Sequence, residues 1–480
     1  MKNNSAFLLM VVLLLPLLFI NISTTHDWGD DFAAFIGQAK AILEGKEYFK
    51  TGFVPNLEKP DLVASPLGWS LLLLPVMAAY GVNLVALKIY LSIFYVLWGG
   101  FLFLIFRKKK ETLFAALVVG FIFYHPQFIG FKAEVLSDAA FAALFSLTLY
   151  FVSRLEKLTT MHLLILGLMI GFSCLIRPLG FVLMGSVFFE FFRIKDWKLK
   201  WLQVLIPILS AFLLYFLVGK VFFPCENVYS HYTHFLGKEV GVNVVENAQF
   251  YFAEWQAYWA MLTAHSTGKV LLIYLFSFLL IVGSLRYLLL WNVYTVTVLA
   301  YLAVVFVWPF RSQGFRYIYP VLPFFVYISF ESLNRMIQRN HRTTTWVSNT
   351  LLIYLLFQCF TFNAEPIQRN LVQHGSQTNS AKALYSFLEH EVSNSSRVVF
   401  TKPRVLCLYS GVNALYPIAN LDFRKISEEY TRYGVHYFVR CKNTNLECYN
   451  AIYSSYMDSM ERQKVLLWSN TDFDVYKRNH

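Results

Sequence analysis

The stretch "HDWGDDFAAFIGQAK", His26 to Lys40, follows directly on an apolar run at 6–23 that reads as a membrane span. Asp27, Asp30 and Asp31 fall where the chain has just left that run. From Phe32 the apolar residues recur at Phe35, Ile36, Ala39 and Leu43, with Gln38, Lys40 and Glu44 off the stripe. That spacing predicts an amphipathic helix lying in the membrane interface with its apolar face in lipid. Either Asp30 or Asp31 is suited to cap its N-terminus by accepting a backbone N–H. A cap does not account for two adjacent carboxylates together with Asp27. The helix dipole keeps a carboxylate ionised at that end, and an ionised carboxylate just above a membrane suits a general base acting on a hydroxyl.

The surrounding chain fits a membrane setting. Of its 480 residues 57% are hydrophobic and only 15% charged, and mean hydropathy is +0.49. A soluble domain carries more charge than this. The formal net charge of +12 would point to nucleic acid in a soluble protein. Here the basic residues lie in short clusters between apolar runs, and no basic face is interleaved with exposed aromatics, so no nucleic-acid partner is expected. The six cysteines show no CxxC spacing, which argues against metal or redox chemistry through sulfur.

Apolar runs of spanning length lie at 6–23, 82–106, 112–130, 135–152, 158–176, 178–194, 200–221, 268–290, 291–308, 316–334 and 346–362. They predict a mainly α, polytopic membrane protein with about eleven spans. The first is read as a retained span because no small-residue cleavage site follows it. Charge decides two ambiguous places. Counting "SPLGWSLLLLPVMAAYG" (65–81) as a span, or fusing 158–194 into one helix, would put "RKKK" (107–110) or "RIKDWKLK" (193–200) outside. The first is therefore expected as a partial or surface helix, and the second as a hairpin turning at Arg177-Pro178. Lys2, 107–110, 154–157, 193–200, Arg286 and 335–342 then all face the cytoplasm. The opposite face receives the loop 24–81, the loop near 131, the turn at 177, the loop 222–267, the turn 309–315 and the tail from 364. The expected organisation is a transmembrane module at 1–363 and an extracytoplasmic α/β domain at 364–480. In that domain "SAKALYSFLEHEV" reads as a helix, and "RVVFT", "HYFVR", "VLLWS" and "FDVYK" read as strands.

Two further motifs share the outer face. In "HPQFIGFKAEVLSDAAF" (125–141), Glu134 and Asp138 are four apart and would share a helical face at a span mouth. Capping by Ser137 or Asp138 is the plainer alternative. Cations on that face are exceptions to the positive-inside bias: Lys132, Arg177, Lys220, Lys269, Arg311 and Arg316. Snorkelling to headgroups would account for them, as would a phosphate held at the membrane surface, which Arg binds bidentately. Acids suited to base catalysis and cations suited to a phosphate thus meet at one membrane face. His231, His234 and His265 lie in loop 222–267 with Trp255 and Trp259, where the aromatics suit the interface or stacking on a sugar. No GxxxxGK[ST] or GxGxxG stretch occurs, so a nucleotide-sugar donor is not expected. No His/Asp/Glu set has metal-ligand spacing, and no cofactor follows beyond an optional divalent metal ion.

"GDDFAAFIGQAKAILEGK", "SPLGWSLLLLPVMAAYGVNLVALK", "LSDAAF", "LIRPLG" and "FRYIYPVLPFF", in this order, resemble the GT-C integral-membrane glycosyltransferases. The likeness is to the branch that includes protein O-mannosyltransferases and the lipid A aminoarabinose transferase. It implies an inverting transfer from a polyprenyl-phosphate-linked sugar to a hydroxyl on a lipid, glycan or protein acceptor, at the outer face of a plasma (bacterial inner) membrane. By position it puts the catalytic acid of the first outer loop on Asp31, with Asp30 as the alternative, and a second acidic site on Glu134 and Asp138. Donor-phosphate contacts would fall to Arg177, Arg316, Lys132 and Arg311. An O-antigen ligase or polymerase and a lipid or solute transporter are the competing classes. The acidic first loop and α/β tail argue against the former, and the lack of repeated halves against the latter.

Overall fold

A backbone in lipid must satisfy its own N–H and C=O groups, so long apolar runs fold as helices. A computed structural model describes residues 2–58, 64–107, 112–154, 159–193, 200–225, 240–262, 266–289, 292–308, 311–336, 341–362, 372–393, 396–418, 421–442, 451–459 and 464–479. The helical region comprises α1 (Lys2–Leu14), α2 (Asp30–Leu43), α3 (Leu67–Tyr80), α4 (Leu84–Arg107), α5 (Thr112–Tyr124), α6 (Pro126–Phe131), α7 (Asp138–Val152), α8 (Thr160–Ile176), α9 (Val182–Arg193), α10 (Lys200–Phe216), α11 (Val240–Ala260), α12 (Ser266–Leu289), α13 (Val293–Val307), α14 (Leu322–Met336) and α15 (His341–Thr361). The tail adds α16 (Asn379–Glu391), β1 (Arg397–Val399), α17 (Pro403–Ser410), β2 (Asn413–Leu415), α18 (Phe423–Arg432), β3 (Val435–Cys441), α19 (Ala451–Ser459), β4 (Lys464–Ser469) and β5 (Phe473–Arg478).

Among the described residues three helices are long and apolar enough to cross a membrane by themselves: Leu84–Arg107, Gln203–Phe222 and Thr267–Tyr287. The other apolar helices are shorter, several because the chain breaks them. The run 112–130 is cut at His125-Pro126, where His125 Nδ1 accepts from Gln127 N at 3.2 Å. The run 158–194 is cut at Arg177, as expected. Pro178 excludes the helical region for the residue before it, and Arg177 is extended (φ −150°, ψ 137°). The loop 222–267 contains a 21-residue helix, α11. It packs against α12 and α13, so Trp255 and Trp259 are core residues and face neither the interface nor a sugar. Trp259 stacks on Phe276 with ring centroids 3.6 Å apart. His231, His234, His265 and the domain boundary at 363/364 lie outside the described residues.

The opening helix differs from its expectation. α2 forms where predicted, but Phe32, Ala33, Ala34, Phe35, Ile36 and Ala39 are all buried, and so is Gln38, whose amide bonds Ser65 O (3.0 Å) and Ser70 Oγ (3.1 Å). α2 is covered by α3 on one side and by α17 of the tail on another. From Phe32 to Ala39 its apolar stripe packs on protein and not on lipid, and only Leu43 at its end is exposed. The run 65–81 is α3, too short to span. It is more than a surface helix, since Leu67, Gly68, Trp69, Ser70, Leu73 and Met77 are buried.

The tail sheet has the order β2-β1-β3-β5-β4, with β2, β1 and β3 parallel and β5 antiparallel to β3 and β4. The predicted helix and four strands form; β2 and helices α17, α18 and α19 were not anticipated. The first loop extends the sheet beyond β2. Phe53 bridges Ala414 in parallel, with Val54 N donating to Ala414 O at 2.9 Å and Ala414 N to Gly52 O at 3.1 Å. Trp28 packs edge-on against Phe400 and Phe473, and its Nε1 donates to His374 O at 2.8 Å.

α8 and α10 approach closely through Gly167 and Gly171, a pair four apart on one helix face. A Cβ on Gly167 would lie 2.5 Å from Pro207 O, and one on Gly171 2.7 Å from Ala211 O. The obstacles are backbone atoms, which cannot turn aside. Gly171→Leu is therefore expected to destabilise by about 1–3 kcal/mol, read as a lowered midpoint in tryptophan-monitored thermal unfolding in detergent. An unchanged midpoint would mean that the two helices separate freely.

Candidate active site

α2 begins at Gly29, which has no side chain to cap it, and Asp27 Oδ1 accepts from Gly29 N at 3.1 Å. Neither Asp30 nor Asp31 serves as the cap, so both carboxylates are available to other partners. They point to different ones. Asp30 is gripped by the tail: Oδ1 accepts from Arg404 N (3.0 Å), Oδ2 accepts from the Tyr416 hydroxyl (2.5 Å), and Arg404 Nε lies 3.8 Å away. Its side chain is 9% exposed, against 40% for Asp31. Asp31 Oδ2 accepts from Arg316 Nη1 at 2.6 Å.

From Asp31 an alternating series of charges runs inward. Arg316 Nη2 reaches Asp138 Oδ2 at 3.2 Å. Asp138 Oδ1 pairs with Arg177 Nη2 at 2.7 Å, and Arg177 Nε donates to Ser137 Oγ at 3.3 Å. Asp138 is almost fully buried. Ser137 is the N-cap of α7 in the backbone sense, but its hydroxyl serves Arg177 and caps nothing. Arg177 Nη1 is buried without a hydrogen-bond partner among the described residues. Two carboxylates and two guanidiniums balance here, as buried charges require.

Glu134 does not share a helix with Asp138. Turns at 131–136 intervene, with Glu134 N donating to Phe131 O and Leu136 N to Glu134 O, and α7 starts only at Asp138. Glu134 still lies within electrostatic reach of Asp27, Arg316, Asp138 and Asp31. Its carboxyl makes no hydrogen bond or ion pair among the described residues. Lys132 is not brought to the group. It is fully buried, donates to Ile20 O at 2.6 Å, and burial pushes its pKa down to about 7. The side chain of Arg311 lies outside the described residues.

The electrostatics separate the acids. Burial works to raise Asp31, but Arg316 outweighs it, with Arg404 and Arg177 adding, and the carboxyl falls below its ordinary value. Asp30 goes the other way, because burial exceeds the help of Arg404 and Tyr416. Glu134 is raised well above the usual carboxyl range by burial and then by Asp27. Beside it, His26 Nε2 accepts from Val135 N at 2.9 Å, so Nδ1 carries the proton and donates to Asp27 Oδ1 at 2.5 Å. No group of three or more His, Cys, Asp and Glu is placed to hold a metal among the described residues. Asp31 and Asp138 already share the Arg316 guanidinium, so a metal ion between them would have to displace it.

Sequence reasoning missed Arg404 and Tyr416 in the tail. Nothing local marks either residue, since each acts on Asp30 across more than three hundred residues of chain.

This architecture has the fold of two solved GT-C membrane glycosyltransferases. Two solved relatives define the likeness. ArnT from Cupriavidus metallidurans bound to undecaprenyl phosphate superposes with TM-score 0.58 over 98% of this chain and 97% of its own, at 13% identity. The Archaeoglobus fulgidus oligosaccharyltransferase tethered to an acceptor peptide superposes with TM-score 0.58 over 100% of this chain and 74% of its own, at 10% identity. The same archaeal enzyme, AglB, in complex with an inhibitory peptide and a dolichol-phosphate gives TM-score 0.56 at 10% identity. No protein-family model matches the chain, and no curated protein matches it.

A carboxyl whose pKa is raised on folding costs stability once pH passes its unfolded value near 4.5, and the cost grows until the folded value is reached. Glu134→Gln is thus expected to leave stability unchanged near pH 4 and to raise the thermal midpoint progressively toward neutral pH. A midpoint difference that is flat with pH would remove Glu134 from the protonated acids of the site.

Proposed function

We propose that this chain is a membrane glycosyltransferase that moves a sugar from a polyprenyl-phosphate-linked donor to an acceptor hydroxyl on the extracytoplasmic face. The observation that carries the reading is the series Asp31–Arg316–Asp138–Arg177, which sets a partly exposed, ionised carboxylate beside buried guanidiniums in a GT-C fold. The relatives bound to undecaprenyl phosphate and dolichol-phosphate support the donor class.

In this reading Asp31 accepts the proton of the acceptor hydroxyl as its oxygen attacks the anomeric carbon. The bond from that carbon to the phosphate oxygen breaks, and its electron pair leaves on the polyprenyl phosphate. Arg316 and the unpaired Nη1 of Arg177 stabilise the phosphate. A single displacement inverts the anomeric centre. Glu134, whose carboxyl is pushed upward by burial and then by Asp27, lies within electrostatic reach of the base. Asp30, bonded to Arg404 N and to the Tyr416 hydroxyl, serves as an anchor. Arg311 completes the candidate phosphate contacts of the sequence, and Lys132, buried and bonded to Ile20 O, is not among them. The product is identified by mass spectrometry of envelope glycolipids and glycoproteins in cells with and without the gene.

Orientation follows from charge. α4, α7 and α14 run from the site end of the bundle to Arg107, Arg154 and Arg335 at the other. Positive-inside bias supports an orientation with the site and tail outside. Lys382→Cys, exposed on α16, is expected to react with an impermeant maleimide in intact cells. Labelling only after permeabilisation would reverse the orientation and defeat the reading.

Asp31→Asn preserves shape and removes the base, so product per mole of enzyme is expected to fall roughly 10²–10⁴-fold while expression holds. Arg177→Lys keeps the charge beside Asp138 but loses the planar fork. It is expected to weaken undecaprenyl phosphate binding, read by native mass spectrometry, by about 1.5–3 kcal/mol. Normal product from Asp31→Asn would overturn the base, and unchanged binding by Arg177→Lys would overturn the phosphate contact.

A further inference from the structure

Asp30 accepts from Arg404 N, the second residue of α17. The N-cap of that helix, Lys402, makes no side-chain cap bond. A carboxylate from the opposite end of the chain therefore satisfies one of the orphan amides of a tail helix and meets its positive dipole end. The second oxygen takes the Tyr416 hydroxyl, and burial together with Asp30 raises the phenol well above its ordinary value, so it stays a donor. Both grips are themselves fixed. Arg404 lies over the Phe53 ring at 4.8 Å, Tyr416 meets the same ring edge-on at 5.6 Å, and Tyr416 O accepts from Asn56 Nδ2 at 2.6 Å. Phe53 belongs to the segment that extends the tail sheet. Asp30 and Asp31 are consecutive residues in the first turn of α2, so a lock on one sets the direction of the other.

We propose that the C-terminal domain is a positioning part of the transfer site: Tyr416 and the α17 N-terminus hold Asp30, and by doing so aim the Asp31 carboxylate between Arg316 and the acceptor. The proposal rests on the reading of Asp31 as the base. Tyr416 touches no reacting atom. Its contribution is the placement of its neighbour's neighbour, to which transfer is sensitive at the ångström level.

The test uses the full-length chain with Tyr416→Phe, which keeps the ring on Phe53 and removes only the hydroxyl. Three quantities are measured: envelope product per mole of enzyme in complemented deletion cells, undecaprenyl phosphate binding by native mass spectrometry, and hydrogen exchange of the tail and the first loop. Product is expected to fall roughly 10–100-fold, with lipid binding and tail protection at wild-type levels. Wild-type product would overturn the proposal. So would a loss of product that merely follows lost lipid binding or lost protection, because that is the signature of a structural contact. If Tyr416→Phe fails to fold, Asp30→Asn carries the test, since it keeps an acceptor for Arg404 N while weakening the grip; full product from it would also overturn the proposal. Asp31→Asn runs alongside. If it transfers normally, the base reading has failed; if it is inactive while Tyr416→Phe is normal, only the positioning role has failed.

Discussion

The Arg316 guanidinium between Asp31 and Asp138 is the contact on which the rest of the site depends. It joins the start of α2, the start of α7 and the segment 311–317, which are far apart in sequence. Arg177 then ties the end of α8 to the same carboxylate. Each of these charges would be expensive to bury alone, and removing any one leaves its partner uncompensated. Four chain segments must therefore arrive together, and the helix ends that carry them cannot drift independently. The short helices are part of this arrangement. α7 begins at Asp138 and α8 stops before Pro178 because their termini deliver side chains to the group.

The paired aspartates at the head of α2 take different partners, and the proposed reaction divides two tasks between them. A base must face its acceptor with a free lone pair, so it cannot also be saturated by donors. Asp30 takes two donors from the tail and lies almost out of solvent. Asp31 keeps one strong partner and an open side. Their opposite pKa shifts follow from this difference in surroundings, although the residues are identical and adjacent.

Much of this was legible in the sequence where the determinant is local. Hydrophobic periodicity located α2 and α16, strand-like runs located four tail strands, and charge placed the break at Arg177-Pro178. Charge type and expected membrane side gathered Asp30, Asp31, Glu134, Asp138, Lys132, Arg177, Arg311 and Arg316 as candidates, of which Asp31, Arg316, Asp138 and Arg177 meet in one series. What failed was the environment of each element. The stripe of α2 was taken for a lipid-facing surface because period alone cannot distinguish lipid from protein as the apolar partner. The aromatics of α11 were taken for interface residues because a helix following a polar loop resembles the loop in composition. Lys132 matched Arg177 in sequence terms, as an outer juxtamembrane cation. It differs only in that a backbone carbonyl of the first segment lies within its reach. Arg404 and Tyr416 sit in an ordinary soluble-looking domain, and their role appears only when β2 receives the first loop as a neighbouring strand.

The burial of α2 changes what the fold can do. A helix floating in the interface would follow the lipid, and its carboxylate would sample many directions. Here α2 lies between α3 and α17, with even Gln38 tied down on both amide atoms. The helical bundle and the tail sheet then hold α2 between them, and the proposed base sits on the element so clamped. In the proposed reaction a hydroxyl from the aqueous side and a phosphate from the membrane side would meet at such a junction without either substrate leaving its own solvent. That requirement gives a physical reason for the α/β tail to be docked on the first loop through backbone pairing, which a loose linker-tethered domain would not provide.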